Sequence, residues 1–298
     1  MTPSSAAAPG GGSLRDAAAL IRQATLTLSD AGVPSPRVDA ELLLAHVLAV
    51  DPGEVRRRAV MGAPVSDDDA ARFATLLTRR AAREPLQHLT GEAHFRHLTL
   101  AVGPGVFVPR PETEQVAQTA IDEALRLPAS VVVDLCTGSG AIALAVATEV
   151  PSARVYAVEL DAGAHEWAAR NVAAVGAPVH LVKGDARTAL RELDGTTDVV
   201  VSNPPYVPPD AVPRDPEVAE HDPAIALYGL GADGLEVPRG IAAAAARLLR
   251  PGGLFVMEHA EVQAASARAV VDATGSFEPA ETRDDLTGRP RMVIARRC

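Results

Sequence analysis

The sequence predicts an α/β protein, a mostly parallel sheet wound with helices and preceded by a small helical bundle. Two patterns carry that reading. Residues 13–83 keep a helical period throughout, whereas from Ser130 onward short apolar runs of strand length alternate with helical stretches. A glycine-rich turn directly after the first of those strands is the third observation. At 298 residues, with 47% hydrophobic and 22% charged residues, the chain is long enough to bury a core without staples, and a disordered or fibrous chain is excluded.

In chain order, Met1–Gly12 has neither a basic start nor an apolar run and reads as a flexible tail, not a signal peptide. Ser13 with Asp16 resembles a capping box opening a first helix, with Leu14, Ala17, Ile21, Ala24 and Leu28 on one face until Gly32 and Pro34. A second apolar stripe, Val38, Leu42, Ala45 and Leu48, stops before Pro52. Ser66 followed by Asp67, Asp68 and Asp69 starts a third helix that runs to about Arg83. Residues 85–110 shift toward alternation and read as a β-hairpin connector, with a helix after Pro111 carrying Val116, Ala120 and Leu125. Strands are expected at Val131–Leu135, Val155–Glu159, Val179–Lys183, Val199–Ser202 and Gly253–Glu258, with helices at Ala141–Glu149, through Trp167 to Val175, and at Ile241–Leu249. Near Phe277 and at Arg291–Ala295 two strand-like stretches lack a full helix between them, which suggests an antiparallel edge pair.

The turn Asp134-Leu-Cys-Thr-Gly138-Ser-Gly140 joins the first of these strands to its helix. Glycine allows close backbone approach to a ligand, and the helix start offers free amide donors. Glu159, nineteen residues after Gly140 at the next strand end, lies where a ribose-binding carboxylate belongs. Nicotinamide dinucleotide and S-adenosylmethionine both carry such a ribose. A carboxylate at Asp134 pointing into the turn repels a pyrophosphate and suits an ammonium and a sulfonium, which favours S-adenosylmethionine. Asp185 stands where a group contacting the adenine amine is expected, or alternatively caps a helix from Thr188. Cys136 has no base or cation beside it and reads as a small turn residue.

After the strand ending at Ser202 comes Asn203-Pro204-Pro205-Tyr206. Two prolines donate no hydrogen bonds and hold an extended course, so carbonyls remain available as acceptors. Asn203 adds an acceptor oxygen and Tyr206 a flat ring. Together these describe a receptor for a planar, conjugated NH2 group, held in line with an electrophilic methyl.

These two motifs resemble the class I S-adenosylmethionine-dependent methyltransferases acting on amide or exocyclic amino nitrogens. With Pro85-Leu-Gln-His-Leu-Thr-Gly91, Val108-Pro-Arg-Pro-Glu-Thr-Glu114, Glu258 to Gln263 and Asp285-Leu-Thr-Gly-Arg289-Pro-Arg-Met-Val293, nearly the whole chain is similar to the peptide chain release factor glutamine methyltransferases, the PrmC/HemK family. The resemblance implies a Rossmann-like, seven-stranded methyltransferase domain over 111–298, a substrate-docking helical domain over 13–84, and methylation of the glutamine in the Gly-Gly-Gln loop of class I release factors. It implies that Thr137, Gly138, Ser139 and Gly140 hold the methionine part of S-adenosylmethionine, Glu159 the ribose, and Asp185 with Ala186 the adenine. Asn203, Pro204, Pro205 and Tyr206 would take the substrate amide, with Asn203, Pro204 and Tyr206 catalytic and Asn203 also near the cofactor. Two departures stand out. Cys136 occupies a position the family usually gives to glycine, acceptable if its torsion is ordinary, and Ala186 replaces a larger residue. The Pro-rich connection Val207–Pro238 is expected to form part of the substrate cleft, with Arg214 or Arg239 touching the partner.

Charge and cysteine usage narrow the range of activities. Residues 1–100 hold eleven basic and eleven acidic residues, and 101–298 hold seventeen and twenty-seven, so the net charge of -10 sits on the catalytic part. Such a surface disfavours a nucleic-acid amino methyltransferase. A glutamine methyltransferase for a ribosomal protein would share these motifs. An inactive binding protein on the same fold is disfavoured by intact Glu159 and Asn203. Cys136 and Cys298 make neither a disulfide framework nor a metal-ligand spacing, consistent with a reducing cytoplasm, and no apolar run is long enough for a membrane span.

Overall fold

The computed structural model describes residues 15–298; the tail read over residues 1–12 and the positions of Ser13 and Leu14 lie outside them. Two compact units divide between Thr90 and Gly91. The division therefore falls inside the 85–110 segment, and its hairpin belongs to the second unit instead of standing as a separate connector.

The first unit contains β1 (Arg15–Asp16), α1 (Ala17–Asp30), α2 (Pro36–Leu48), α3 (Pro52–Val60), β2 (Pro64–Val65), α4 (Asp67–Ala81) and α5 (Leu86–Thr90). Asp16 itself caps α1, its carboxylate accepting from the Ala19 amide at 2.6 Å. Ser66 caps α4 as its sequence predicts, its hydroxyl accepting from the Asp69 amide at 3.1 Å. The apolar stripe expected on α2 holds in part: Ala45 is buried and Leu42 and Leu48 are half-buried, but Val38 is exposed and the inward face also carries Ala40, Leu43, Leu44 and Val47 together with Asp39 and Glu41. A buried ion pair, Arg80 Nε donating to Asp39 Oδ2 at 2.7 Å, draws an acidic residue inward at a position outside the expected apolar stripe.

The second unit begins with a hairpin, β3 (Glu92–Phe95) and β4 (Leu98–Ala101), and α6 (Thr113–Ala124). It continues as β5 (Val131–Leu135), α7 (Ala141–Glu149), β6 (Arg154–Glu159), α8 (Ala162–Val175), β7 (Val179–Lys183) and β8 (Thr197–Ser202). Then follow α9 (Pro216–His221), α10 (Ala224–Leu227), α11 (Glu236–Leu248), β9 (Leu249–Glu258), α12 (Ala264–Asp272), β10 (Glu281–Asp284) and β11 (Pro290–Arg296). Seven strands form one sheet in the order β10-β11-β9-β8-β5-β6-β7. Pairings from β9 to β7 are parallel, and those of β11 with β9 and with β10 are antiparallel.

Alternation along the strands builds two apolar layers. Val132, Val199 and Val201 face a cluster with α6 and α7, and Val133, Leu135 and Val200 face one with Ile241, Leu248 and Val271 of α11 and α12. The tail differs from its sequence reading: β11 lies inside the sheet between β9 and β10, so of the two only β10 is an edge strand, and Phe277 makes an isolated bridge with Arg297. Helix α12, which the sequence reading did not anticipate, precedes that pair. Among the described residues no helix is long and apolar enough to cross a membrane.

The chain moves outward from β5 to β6 and β7, then returns to the other side of β5 as β8. This reversal opens a crevice at the carboxyl ends of β5 and β8, the place where open α/β sheets bind ligands.

Candidate active site

A cavity of about 770 Å³ occupies that crevice, lined from the strand ends by Thr137, Glu159, Asp185 and Asn203. It lies wholly in the second unit, and its volume is in the range of sites for cofactors and small ligands.

The turn after β5 shows how one carboxylate can order two backbone segments. Glu159, at the end of β6, is 8% exposed; its Oε2 accepts from the Gly138 amide at 2.8 Å and its Oε1 from the Asp161 amide at 2.9 Å. A carboxylate has about four lone-pair sites, so acceptor capacity remains for a ligand hydroxyl. Burial raises its pKa while the backbone donors pull it down. Gly138 has φ +58°, and a Cβ built there would meet nothing within 4 Å, so the backbone itself forms the cavity wall. Ser139 is buried beside it, and its carbonyl accepts from Asn171 Nδ2 at 2.9 Å. Gly140 is set back from the cavity: with φ +85° it turns the chain into α7, over Leu144 and Ala168.

Two sequence expectations change here. Cys136 has φ +63°, in the left-handed region that glycine occupies freely, so its torsion is not ordinary. Asp134 does not line the cavity. It is buried beneath the turn, where Oδ2 accepts from Thr137 Oγ1 at 2.5 Å and from the Ala143 amide at 3.1 Å, and Oδ1 has no hydrogen-bond partner among the described residues. Burial pushes this carboxyl up to about 7.

Beyond β7, Asp185 and Ala186 both line the cavity, with Ala186 buried against the α11 side. No helix starts at Thr188; residues 186–188 form a turn. Asp185 accepts from the Arg187 amide at 2.9 Å and holds its guanidinium at 2.7 Å, which lowers the carboxyl pKa. Arg187, absent from the sequence reading, lines the cavity too and lays its stem over Gly240, where a Cβ would come within 2.5 Å of Arg187 Cδ.

The Asn203–Tyr206 element forms the opposite wall, all four residues lining the cavity. Asn203 Nδ2 donates to Thr113 Oγ1 at 3.3 Å, which leaves Oδ1 as its acceptor end. Thr113 Oγ1 donates to Glu258 Oε2 at 2.7 Å, and Tyr206 Oη donates to Glu258 Oε1 at 3.3 Å. Burial and the neighbouring carboxylate raise the Tyr206 phenol, so it keeps its proton. No donor among the described residues reaches the Pro204 carbonyl, whereas that of Tyr206 accepts from Gln263 Nε2 at 2.8 Å.

Residues between 107 and 113 complete the wall. Arg110 lies over the Phe107 ring, 4.9 Å from its centroid, and reaches Asp222 Oδ2 at 2.6 Å, tying this segment to the Val207–Pro238 connection. Arg239, just beyond that connection, is paired with Asp233 within it. Thr113 and Glu258 fall within segments that carry the family resemblance, but nothing local in the sequence marks them as neighbours of Asn203.

The donor set fits the S-adenosylmethionine implied by the sequence. The open Gly138 backbone and the buried Glu159 carboxylate suit a ribose-bearing ligand, while Ile142, Leu160 and Ile241 supply apolar surface for a base. Among the described residues the lining carries two guanidinium groups, Arg110 and Arg187, each engaged by a carboxylate, so none of them offers an unpaired cation to a pyrophosphate.

Known proteins show the same division. The profile of the PrmC N-terminal domain matches residues 19–91 and that of the methyltransferase small domain matches residues 98–215. A release factor glutamine methyltransferase of Streptomyces coelicolor is 50% identical over 281 residues, covering 93% of this chain and 97% of the relative. One of Mycolicibacterium smegmatis is 50% identical over 278 residues, covering 93% and 96%. The 4-amino-L-phenylalanine/4-methylamino-L-phenylalanine methyltransferase of Streptomyces pristinaespiralis is 42% identical over 268 residues, covering 88% and 89%. Among solved structures, the Thermus thermophilus 16S rRNA N2 G1207 methyltransferase (RsmC) shares the fold with TM-score 0.52 at 22% identity, over 70% of this chain and 50% of that one. A crevice at the β5/β8 switch walled by the Asn-Pro-Pro-Tyr element, and relatives of half-identical sequence over nearly the full length, lead to one conclusion: the chain belongs to the release factor glutamine methyltransferase family.

Proposed function

We propose that the chain transfers a methyl group from S-adenosylmethionine to the side-chain amide nitrogen of glutamine in the Gly-Gly-Gln loop of class I release factors. The observation that carries this reading is the fixed amide of Asn203, with Nδ2 held by Thr113 and Oδ1 left as an acceptor beside the unengaged Pro204 carbonyl. Thr137, Gly138, Ser139 and Glu159 would hold the methionine and ribose, with Asp185 and Ala186 toward the base. Bound S-adenosylmethionine supplies an electrophilic methyl on a sulfonium, a leaving group that needs no proton. Asn203 Oδ1 and the Pro204 carbonyl accept the two hydrogens of the substrate amide, Pro205 holds the extended course, and the Tyr206 ring covers the planar group. Those hydrogen bonds strengthen as positive charge grows on the nitrogen, so they favour the transition state over the ground state. The surplus proton leaves the nitrogen after transfer, and the reaction calls for no dedicated base. The helical unit serves to dock the release factor.

A second acceptor class has support in one relative, whose name specifies an aryl amine. An aryl NH2 is also planar and conjugated, so the same wall would accept it; comparing release factor with 4-amino-L-phenylalanine as acceptors separates the two. For the main reading, Asn203→Ala should lower kcat on the order of 10²–10³-fold, the loss typical of one fixed donor or acceptor at a transition state. Binding of S-adenosylmethionine, followed by calorimetry, should stay near that of the wild type. Methylation at an undiminished rate would remove Asn203 from the role assigned to it.

A further inference from the structure

Glu258 is 3% exposed, lies at the end of β9 and does not line the cavity, yet both of its oxygens reach residues that do. We propose that Glu258 is a positioning residue for the acceptor wall: through Thr113 it dictates which end of the Asn203 amide faces the cavity, and through its other oxygen it holds Tyr206. The inference rests on the reading that Asn203 receives the substrate amide.

Its basis is proton counting along a short relay. An ionised carboxylate only accepts, and a threonine hydroxyl has one proton to give. With Glu258 ionised, the Thr113 proton goes to Oε2 at 2.7 Å. Thr113 Oγ1 can then only accept from Asn203, and it does so from Nδ2 at 3.3 Å. Asn203 is thereby left with Oδ1 toward the cavity, as an acceptor of substrate N–H. A protonated Glu258 reverses the relay. Its acid proton can be donated to Thr113, the freed hydroxyl turns toward Asn203, and the amide settles with Oδ1 on Thr113 and its NH2 toward the cavity. A donor then faces the donors of the substrate amide, and the acceptor wall is lost.

The charged surroundings place this choice near neutral pH. Burial and Glu112, just before α6, push the Glu258 carboxyl up, to about 7, while Thr113, Arg291 of β11 and Tyr206 pull it down. Arg291 is itself paired with Asp285 at 3.1 Å, and the charges of Arg291 and Arg110 also act on Tyr206. The active form is the ionised one, so turnover should fall as pH drops through this titration, by about tenfold per pH unit once well below it.

The test uses the full chain and two independent readouts. In the first, kcat for release factor is followed from pH 5.5 to 8.5. Wild type should show the acid limb and Glu258→Gln, which cannot ionise, should lack it. Thr113→Val should lose on the order of 10²-fold in kcat, as misplacement of a reacting group does, and Thr113→Ser should recover most of the loss. In the second, the side-chain NH2 resonance of 15N-labelled Asn203 is titrated without any acceptor. It should follow one proton in the wild type and stop doing so in Glu258→Gln and in Thr113→Val. An acid limb that persists in Glu258→Gln, or an Asn203 resonance indifferent to pH, would overturn the proposal. Should wild type methylate no acceptor at any pH, the functional reading fails, and the resonance titration still decides the relay.

Discussion

Cys136 holds a torsion that its side chain disfavours. At φ +63° an L-residue crowds its own carbonyl, a cost of roughly 1–2 kcal/mol that glycine avoids. Cys136→Gly should therefore raise the unfolding free energy by about 1 kcal/mol, less what glycine loses in chain entropy. Urea unfolding checks this, and a destabilised variant would mean that packing of the thiol outweighs the strain. The cavity lining was legible in the sequence where it is contiguous: Asn203–Tyr206 and Thr137–Ser139 reach the cavity as their spacing predicts, and Glu159 and Asp185 follow from strand ends. It was not legible where function depends on the fold. Thr113 meets Asn203 across 90 positions and Glu258 across 145, and no local pattern records such a meeting. Asp134 misled because a carboxylate beside a glycine turn can serve its own backbone as readily as a ligand, and here burial sends it under the turn.

At the scale of elements, the Val207–Pro238 connection reads as a loop in sequence, yet it contains α9 and α10 and is fastened to the Asn203–Tyr206 wall by backbone contacts. The Tyr206 and Val207 amides donate to the Leu227 carbonyl at 3.1 and 2.8 Å, and the Gly229 amide donates to the Val207 carbonyl at 3.1 Å. These approaches leave no room for a side chain. A Cβ on Gly229 would overlap the Gly234 carbonyl oxygen and come within 2.7 Å of the Pro205 carbonyl oxygen. Gly229→Ala should thus cost about 1–3 kcal/mol, as overpacking does, and should raise the acceptor KM more than it weakens S-adenosylmethionine binding. Equal weakening of both would show that the connection supports the cavity as a whole and not its acceptor side. Helix α4 was readable because its Ser66 cap and its period agree, α1 from its apolar spacing although Asp16 and not Ser13 caps it, and α7 as an apolar stretch after a glycine turn. On α2 the buried Asp39–Arg80 pair lies outside the expected stripe, and a hydrophobic pattern cannot register it.

For the whole molecule, strand–helix alternation sufficed to predict a parallel sheet, but the order of its strands came from the return of the chain at β8. That return brings the glycine turn of β5 and the Asn-Pro-Pro-Tyr element of β8 to one crevice, so both line one cavity although nearly seventy positions separate the motifs. The net charge of -10 has a counterpart there, since both guanidinium groups of the lining are already paired and the cavity suits a cationic donor. The central claim is that this crevice methylates the glutamine of a Gly-Gly-Gln loop. Incubating the protein with methyl-labelled S-adenosylmethionine and a class I release factor, either intact or with that glutamine replaced by alanine, tests it most directly. One methyl per intact release factor and none on the alanine form is the predicted result; equal labelling of both, or of neither, would contradict it.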